Sequence, residues 1–304
     1  MLEIVGLEKN YGKIKALDRI TLQIQDGEIF GIIGQNGAGK TTLLKVIAGL
    51  LDPDQGTVIL DGVDLRKQPE QTGLQIGYVP DSYQLYDHLT VMEYLEFYAG
   101  LYQLEQKKQK VWMKELLSLV SLADAADIFV ENLSYGMRQK LCVARALLPN
   151  PKILVLDEPA NGLDPKARIE FRELLRNLSA SEKTIIVSSH MVSGLPDYCT
   201  SMGILEHGNL ILEGSIEEIM IEIKKNQPLL IHVLGMEEKA LSVLKSDKNV
   251  KKISLDGHCF TVYFEGTEEE EANLLSCLLQ NQVPVQSFYK ASGDLESSFL
   301  ELIS

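Results

Sequence analysis

The residues whose types and spacing most plainly imply chemistry are Gly34-Gln35-Asn36-Gly37-Ala38-Gly39-Lys40-Thr41. They fit the pattern G-x4-G-K-[ST], between an apolar run, Ile29–Ile33, and a segment that reads as a helix, Thr41–Leu50. Glycines let backbone N–H groups from Gly34, Asn36, Gly37, Ala38 and Gly39 converge on phosphate oxygens without Cβ clashes. The helix start, Thr41 and Thr42, adds positive potential. Lys40 has the reach for β- and γ-phosphates, and the Thr41 hydroxyl is an oxygen ligand for Mg²⁺. A second group is Asp157-Glu158, delivered by the apolar run Ile153–Leu156 at the strand end where α/β sheets bind ligands. Asp157 suits Mg²⁺ held through water, and Glu158 suits an attacking water that needs orienting. The chemistry implied is phosphoryl transfer to water, which needs positioning and charge neutralisation rather than a covalent intermediate.

The elements that must position these groups alternate in an α/β pattern. Leu2–Leu7, Ile20–Ile24, Thr57–Leu60 and Ile76–Val79 read as strands, with a turn at Asp61-Gly62. From Thr90 the pattern turns helical. Thr90 and Glu93 match a capping box, and further helices are expected over Lys107–Val120 and Gly136–Leu148. Thr184–Ser188, like Ile153–Leu156, is continuous and apolar, as in buried parallel strands, with a helix over Asp164–Ser179 between them. Ser201–Leu205 and Asn209–Glu213 read as a hairpin turning at Gly208. After Gly214 the texture changes to strand (229–234), helix (237–246), strand (250–255), strand (259–264), helix (268–280) and strand (283–289). That βαββαβ order is the ferredoxin-like arrangement, with Asp256-Gly257 as the hairpin turn. A last short helix is expected over 295–303, with Leu295, Phe299 and Ile303 four apart.

Composition bounds the reading. The 304 residues carry 29 basic and 43 acidic side chains, net −14, with 45% hydrophobic residues. Such a chain buries a sizeable core in one or two domains. The acidic balance disfavours a general nucleic-acid binder. No apolar run reaches the roughly 18–20 residues of a membrane span, and Met1–Asn10 has no signal pattern, so a cytoplasmic chain is expected. The segment after 214 has 8 basic and 15 acidic residues and is about twice as acidic per residue as the rest. Cys142, Cys199, Cys259 and Cys277 form no CxxC pair. Three of them sit in apolar sequence, so reduced core thiols are expected.

Leu133-Ser134-Tyr135-Gly136-Met137 resembles the signature motif of ATP-binding cassette (ABC) ATPases. Asn161-Gly162-Leu163-Asp164 resembles their D-loop, Ser189-His190 their switch histidine, and Tyr11 the aromatic residue that stacks on adenine. These motifs stand in the family's order across about 214 residues. Taken alone, His190 also reads as a structural histidine and Tyr11 as strand-end packing.

The resemblance implies a P-loop cassette over 1–214, with a mixed-sheet core, an antiparallel β subdomain and a helical subdomain at about 84–150. A small ferredoxin-like accessory domain would occupy 215–304. It implies ATP and Mg²⁺, with Glu158 and His190 catalytic and Thr41, Asp157 and Asp81 near the metal. Ser134 and Gly136 would bind the γ-phosphate held by another protomer, and Asp164 would couple the two sites. The implied partners are a second cassette and a separate membrane permease that holds the chain at the inner membrane face, with no nucleic acid. The stretch 85–90 and the tail motif Asp294–Glu301 resemble exporter-type cassettes. Tyr83, Tyr86, Phe97 and Tyr98 are candidates for the permease-facing surface or, as preferred for Phe97, for packing inside the helical subdomain. A soluble ABC ATPase acting on ribosomes or DNA is the alternative. The tail reads as a dimerisation or stability module, or as a regulatory ligand site.

Two departures from the family pattern stand out. Tyr78-Val79-Pro80 is followed by Asp81 where Gln is usual, and Gln84 lies too far on to replace it. The signature carries Tyr135 and Met137 where Gly and Gln are common, while Ser134 and Gly136 are kept.

Overall fold

The computed structural model describes residues 1–67, 73–82, 85–103, 106–192, 194–225 and 227–290. Tyr83, Gln84, the helix expected over 295–303 and the motif Asp294–Glu301 lie outside the described residues. The chain divides into two compact units, Met1–Ile216 and Glu217–Ser304.

The first unit has two sheets. An antiparallel one, β2-β1-β4-β5, comprises β1 (Leu2–Tyr11), β2 (Ile14–Ile24), β4 (Gln55–Leu60) and β5 (Val63–Asp64). A mixed one runs β10-β9-β3-β8-β7-β6. Its strands are β3 (Ile29–Ile33), β6 (Ile76–Val79), β7 (Ile153–Leu156), β8 (Thr184–Ser189), β9 (Ser201–Glu206) and β10 (Asn209–Ser215). Only the β9–β10 hairpin is antiparallel. Every residue of β3 and β7 is buried, as their unbroken apolar runs require for strands covered on both faces. Helix α1 (Lys40–Ile47) lies between the two sheets. Its Leu43, Leu44 and Ile47 join Leu2, Ile4 and Leu7 of β1 and Ile32, Val155 and Ile186 of the mixed sheet in one core.

Three helices follow β6: α2 (Val91–Leu101), α3 (Gln106–Leu119) and, in the chain just before β7, α4 (Tyr135–Leu147). The Thr90–Glu93 capping box is formed in both directions, satisfying two backbone donors at the start of α2. Tyr94 is buried under this helix. Phe97, expected to pack inside, is instead 44% exposed. Its ring packs edge-on against those of Tyr86 and Tyr98. Helix α5 (Pro165–Ala180) leads from β7 to β8.

The second unit holds β11 (Leu229–Val233), α7 (Glu237–Ser246), β12 (Val250–Asp256), β13 (Cys259–Phe264), α8 (Glu268–Gln280) and β14 (Val285–Lys290). The sheet order is β12-β13-β11-β14, all antiparallel. Alternation along β11 and β13 turns Leu229, Ile231, Val233, Phe260, Val262 and Phe264 into a core closed by Leu244, Leu274 and Leu278 of the helices. Helix α6 (Ile216–Lys225), not expected from the sequence, opens this unit, with Glu217 and Glu218 in its first turn. The cysteine expectation needs correction. Cys142 and Cys199 are buried, but Cys259 is only half-buried and Cys277 is exposed, because Cys277 falls on the solvent side of α8. All four are free thiols. No helix among the described residues is long and apolar enough to cross a membrane.

Phe260 is wholly buried at the centre of the second unit's core. Phe260→Ala should destabilise that unit by about 3–5 kcal/mol, measured by urea denaturation.

Candidate active site

The mixed sheet lines up four strand ends. Ile33 of β3 stands opposite Ser189 of β8, Val187 of β8 opposite Leu156 of β7, and Leu156 opposite Val79 of β6. The residues just beyond these ends, 34–41, 189–190, 157–158 and 80–81, therefore share one edge of the sheet. This is where parallel α/β sheets place ligands.

The loop from Gly34 needs its glycines. A Cβ on Gly34 would collide with the Leu205 carbonyl oxygen. One on Gly39, which has φ +110°, would collide with the Ala16 carbonyl oxygen. Asn36 and Gly37 face solvent, Ala38 is buried, and Thr41 is exposed in the first turn of α1 with Thr42 half-buried. The Lys40 ammonium is buried. It donates to the Gly34 and Gln35 carbonyls at 2.6 and 3.2 Å and forms an ion pair with Glu158 Oε1 at 3.2 Å.

Glu158 has φ +47°, a left-handed conformation that costs a non-glycine residue of order 1–3 kcal/mol. Ser188 helps to hold it there. Its hydroxyl accepts from the Glu158 N–H at 2.9 Å and donates to Asp157 Oδ1 at 2.7 Å. Asp157 is buried, and its other oxygen accepts from the Tyr78 hydroxyl at 3.4 Å. Burial, then the Asp157 charge, pushes the Tyr78 phenol well above its usual range, so it remains a donor. Glu158 Oε2 accepts from the His190 backbone N–H at 3.3 Å and meets His190 Nδ1 at 2.9 Å. Nδ1 carries the proton in that contact, because a carboxylate can only accept. Lys40, Glu158 and His190 thus form one line of charge-assisted contacts across three strand ends.

Asp81 lies beside this group. Partial desolvation holds its carboxyl above the ordinary value, and the charges of Asp157 and Glu158 add to the effect, against a hydrogen bond from Asn161. Tyr11 closes β1 opposite Ile14, half-exposed, with the Lys9 ammonium 6.0 Å from its ring centre.

Ser134, Gly136 and Asp164 form a second cluster in the same unit. Ser134 caps α4, its hydroxyl accepting from Met137 N–H at 3.3 Å, and Asp164 caps α5, accepting from Ala167 N–H at 2.9 Å. Among the described residues no hydrogen bond or ion pair joins Ser134 or Gly136 to Lys40, Glu158 or His190. Sequence reasoning missed Ser188 and Tyr78. The available signal was a hydroxyl at the buried end of an apolar strand, where an unpaired polar group is costly.

A family model described as ABC transporter matches residues 17–161. The ABC transporter ATP-binding protein NatA of Bacillus subtilis is 38% identical over 207 residues, covering 68% of this chain and 84% of NatA. The Nod factor export ATP-binding protein I of Ralstonia nicotianae is 32% identical over 303 residues, covering 99% of this chain and 93% of that protein. A dimeric ATP-binding cassette solved in a post-hydrolysis state with ADP and Pi superimposes with TM-score 0.64 at 26% identity, covering 71% of this chain and 99% of that one. The chain belongs to the ATP-binding subunits of ABC transporters, whose activity is ATP hydrolysis coupled to transport.

Ser188→Ala would leave the Glu158 N–H and one Asp157 oxygen without their partner. It should cost about 1–3 kcal/mol of stability by chemical denaturation, together with a clear loss of ATPase rate.

Proposed function

We propose that this chain is the ATP-hydrolysing subunit of an exporter. The observation that carries the proposal is the line Lys40–Glu158–His190 at the open edge of the sheet. Lys40 and the amides of residues 34–41 bind the ATP phosphates, and Tyr11 stacks on the adenine. Glu158 accepts a hydrogen bond from the attacking water and turns its lone pair towards the γ-phosphorus. His190 passes its ring N–H from Glu158 to the γ-phosphate when ATP binds, while its backbone N–H continues to hold Glu158.

The donor set suits Mg²⁺. Thr41 and Asp157 offer oxygen ligands, and each Asp157 oxygen retains a lone pair beyond its bond to Ser188 or Tyr78. Thr41 and Asp157, with Asp81 at the lip, would hold the ion. When bound it neutralises charge on the phosphates.

The likeness to a dimeric cassette supports a head-to-tail dimer as the setting for Ser134 and Gly136. In it they meet the nucleotide of a second cassette, most simply another copy, and Asp164 couples the two sites. The partner that carries substrate is a separate permease in the membrane. Tyr86, Phe97 and Tyr98 form a continuous set of rings on the helical subdomain, with Tyr86 and Phe97 largely exposed, and we assign the permease contact to them. Export, rather than import, is favoured by a likeness to the Nod factor export protein that runs into the second unit. We read that unit, which has its own core, as a dimerisation or stability module.

Glu158→Gln should still bind ATP and close the dimer, seen by size-exclusion chromatography, while turnover falls by at least about a hundredfold. Undiminished turnover would remove Glu158 from the reaction. Asp81→Gln should alter the Mg²⁺ dependence of turnover. It should also stabilise the protein at neutral pH. The Asp81 carboxyl titrates above its ordinary 3.8 in the folded chain, so its neutral form favours folding and that contribution is lost as pH rises through the raised value. Denaturation across pH should therefore show the gain at neutral pH and none in acid below the ordinary value.

A further inference from the structure

The signature-like segment departs from the common pattern at Tyr135, and the structure gives that side chain specific surroundings. A Cβ built on Gly162 would lie 3.2 Å from Tyr135 Cε1, 3.4 Å from Cζ and 3.6 Å from the hydroxyl oxygen. The ring therefore rests on the Cα face of Gly162, in the middle of the loop 161–164. The next residue continues the contact. A Cβ on Gly136 would lie 3.2 Å from Ala167 Cβ and 3.6 Å from a Leu163 methyl. One turn further along α4, the buried Lys140 ammonium pairs with Glu170 of α5 at 2.6 Å. The starts of α4 and α5 thus meet along one continuous seam, with Tyr135 at its exposed end, 48% exposed.

We propose that Tyr135 is a positioning residue that locks the Ser134–Gly136 turn to the Asn161–Asp164 loop of the same chain, so that both reach the partner's nucleotide as one rigid body. This deepens the proposed function and rests on its head-to-tail dimer. The seam explains why Gly162 has no side chain: the ring takes that space, and φ is +73° as well. With glycine at 135 the ring contact with Gly162 would be gone, leaving the loop without that tie to α4. ATP bound at one site would then draw the two segments in separately, and the coupling between the two sites of the dimer would weaken.

The test uses the full-length chain and Mg-ATP. The ATP dependence of hydrolysis is measured for wild type, Tyr135→Gly, Tyr135→Phe, Gly162→Ala and the double variant Tyr135→Gly/Gly162→Ala. Tyr135→Gly should lower the Hill coefficient towards one and reduce kcat several-fold, with the melting temperature of the monomer unchanged. Tyr135→Phe, which keeps the ring, should retain the cooperativity. Gly162→Ala should impair cooperativity in the wild-type background and clearly less when the ring is removed, because the backbone strain is common to both backgrounds and the steric conflict is not. Wild-type cooperativity in Tyr135→Gly, or an equal effect of Gly162→Ala in both backgrounds, would overturn the inference alone. A wild-type chain that neither dimerises with ATP nor hydrolyses it cooperatively would overturn the dimer reading and this inference with it.

Discussion

One buried ammonium ties the site together. Lys40 Nζ spends two of its three donors on the Gly34 and Gln35 carbonyls, closing the phosphate loop on itself, and turns the third towards Glu158. An ammonium out of water must be fully partnered, and here its partners come from the ends of two different strands, β3 and β7. The rest of the first unit serves that geometry. Parallel pairing sets the heights of β3, β8, β7 and β6, and the unbroken apolar runs keep those strands buried on both faces. The Ser188 hydroxyl holds Asp157 and the strained Glu158 in place. A phosphate entering the loop competes with Glu158 for the same ammonium, so binding and release of the carboxylate are linked.

The second cluster follows a different logic. Ser134 and Asp164 are both helix caps, each accepting a backbone N–H three residues on. Capping fixes where these side chains begin, and both residues remain exposed. That suits groups that complete a site on another molecule. It also makes the packing between α4 and α5 a functional variable, because two segments that must arrive together need to be held together.

Much of this was legible in the sequence, and for physical reasons. The phosphate loop needs glycine at positions that approach backbone, and such constraints leave a local signature in the chain. The same holds for Thr90 and Glu93, and for Asp164 with Pro165 at the head of α5. The alternating runs of β11 and β13 gave the second unit its strand order. What escaped notice depends on contacts distant in sequence. Ser188 matters only because β8 lies beside β7. Packing within the helical subdomain is the preferred expectation for Phe97, yet it is 44% exposed, with Tyr86 and Tyr98 as its ring neighbours. Cys277 looked apolar by company and lies on the wet side of α8. Asp81 stands out in the sequence as a substitution, but its carboxyl is raised first by partial burial and then by the charges of Asp157 and Glu158, none of which its own segment displays.

The central claim is that Lys40 and Glu158 together form the γ-phosphate site of an ATPase. Phosphate release from Mg-ATP by the purified chain, compared with that of Lys40→Ala, tests it most directly. The account requires steady hydrolysis by the wild-type chain and its near-complete loss in the variant, with ATP binding strongly weakened. Equal phosphate release by the two proteins would contradict it.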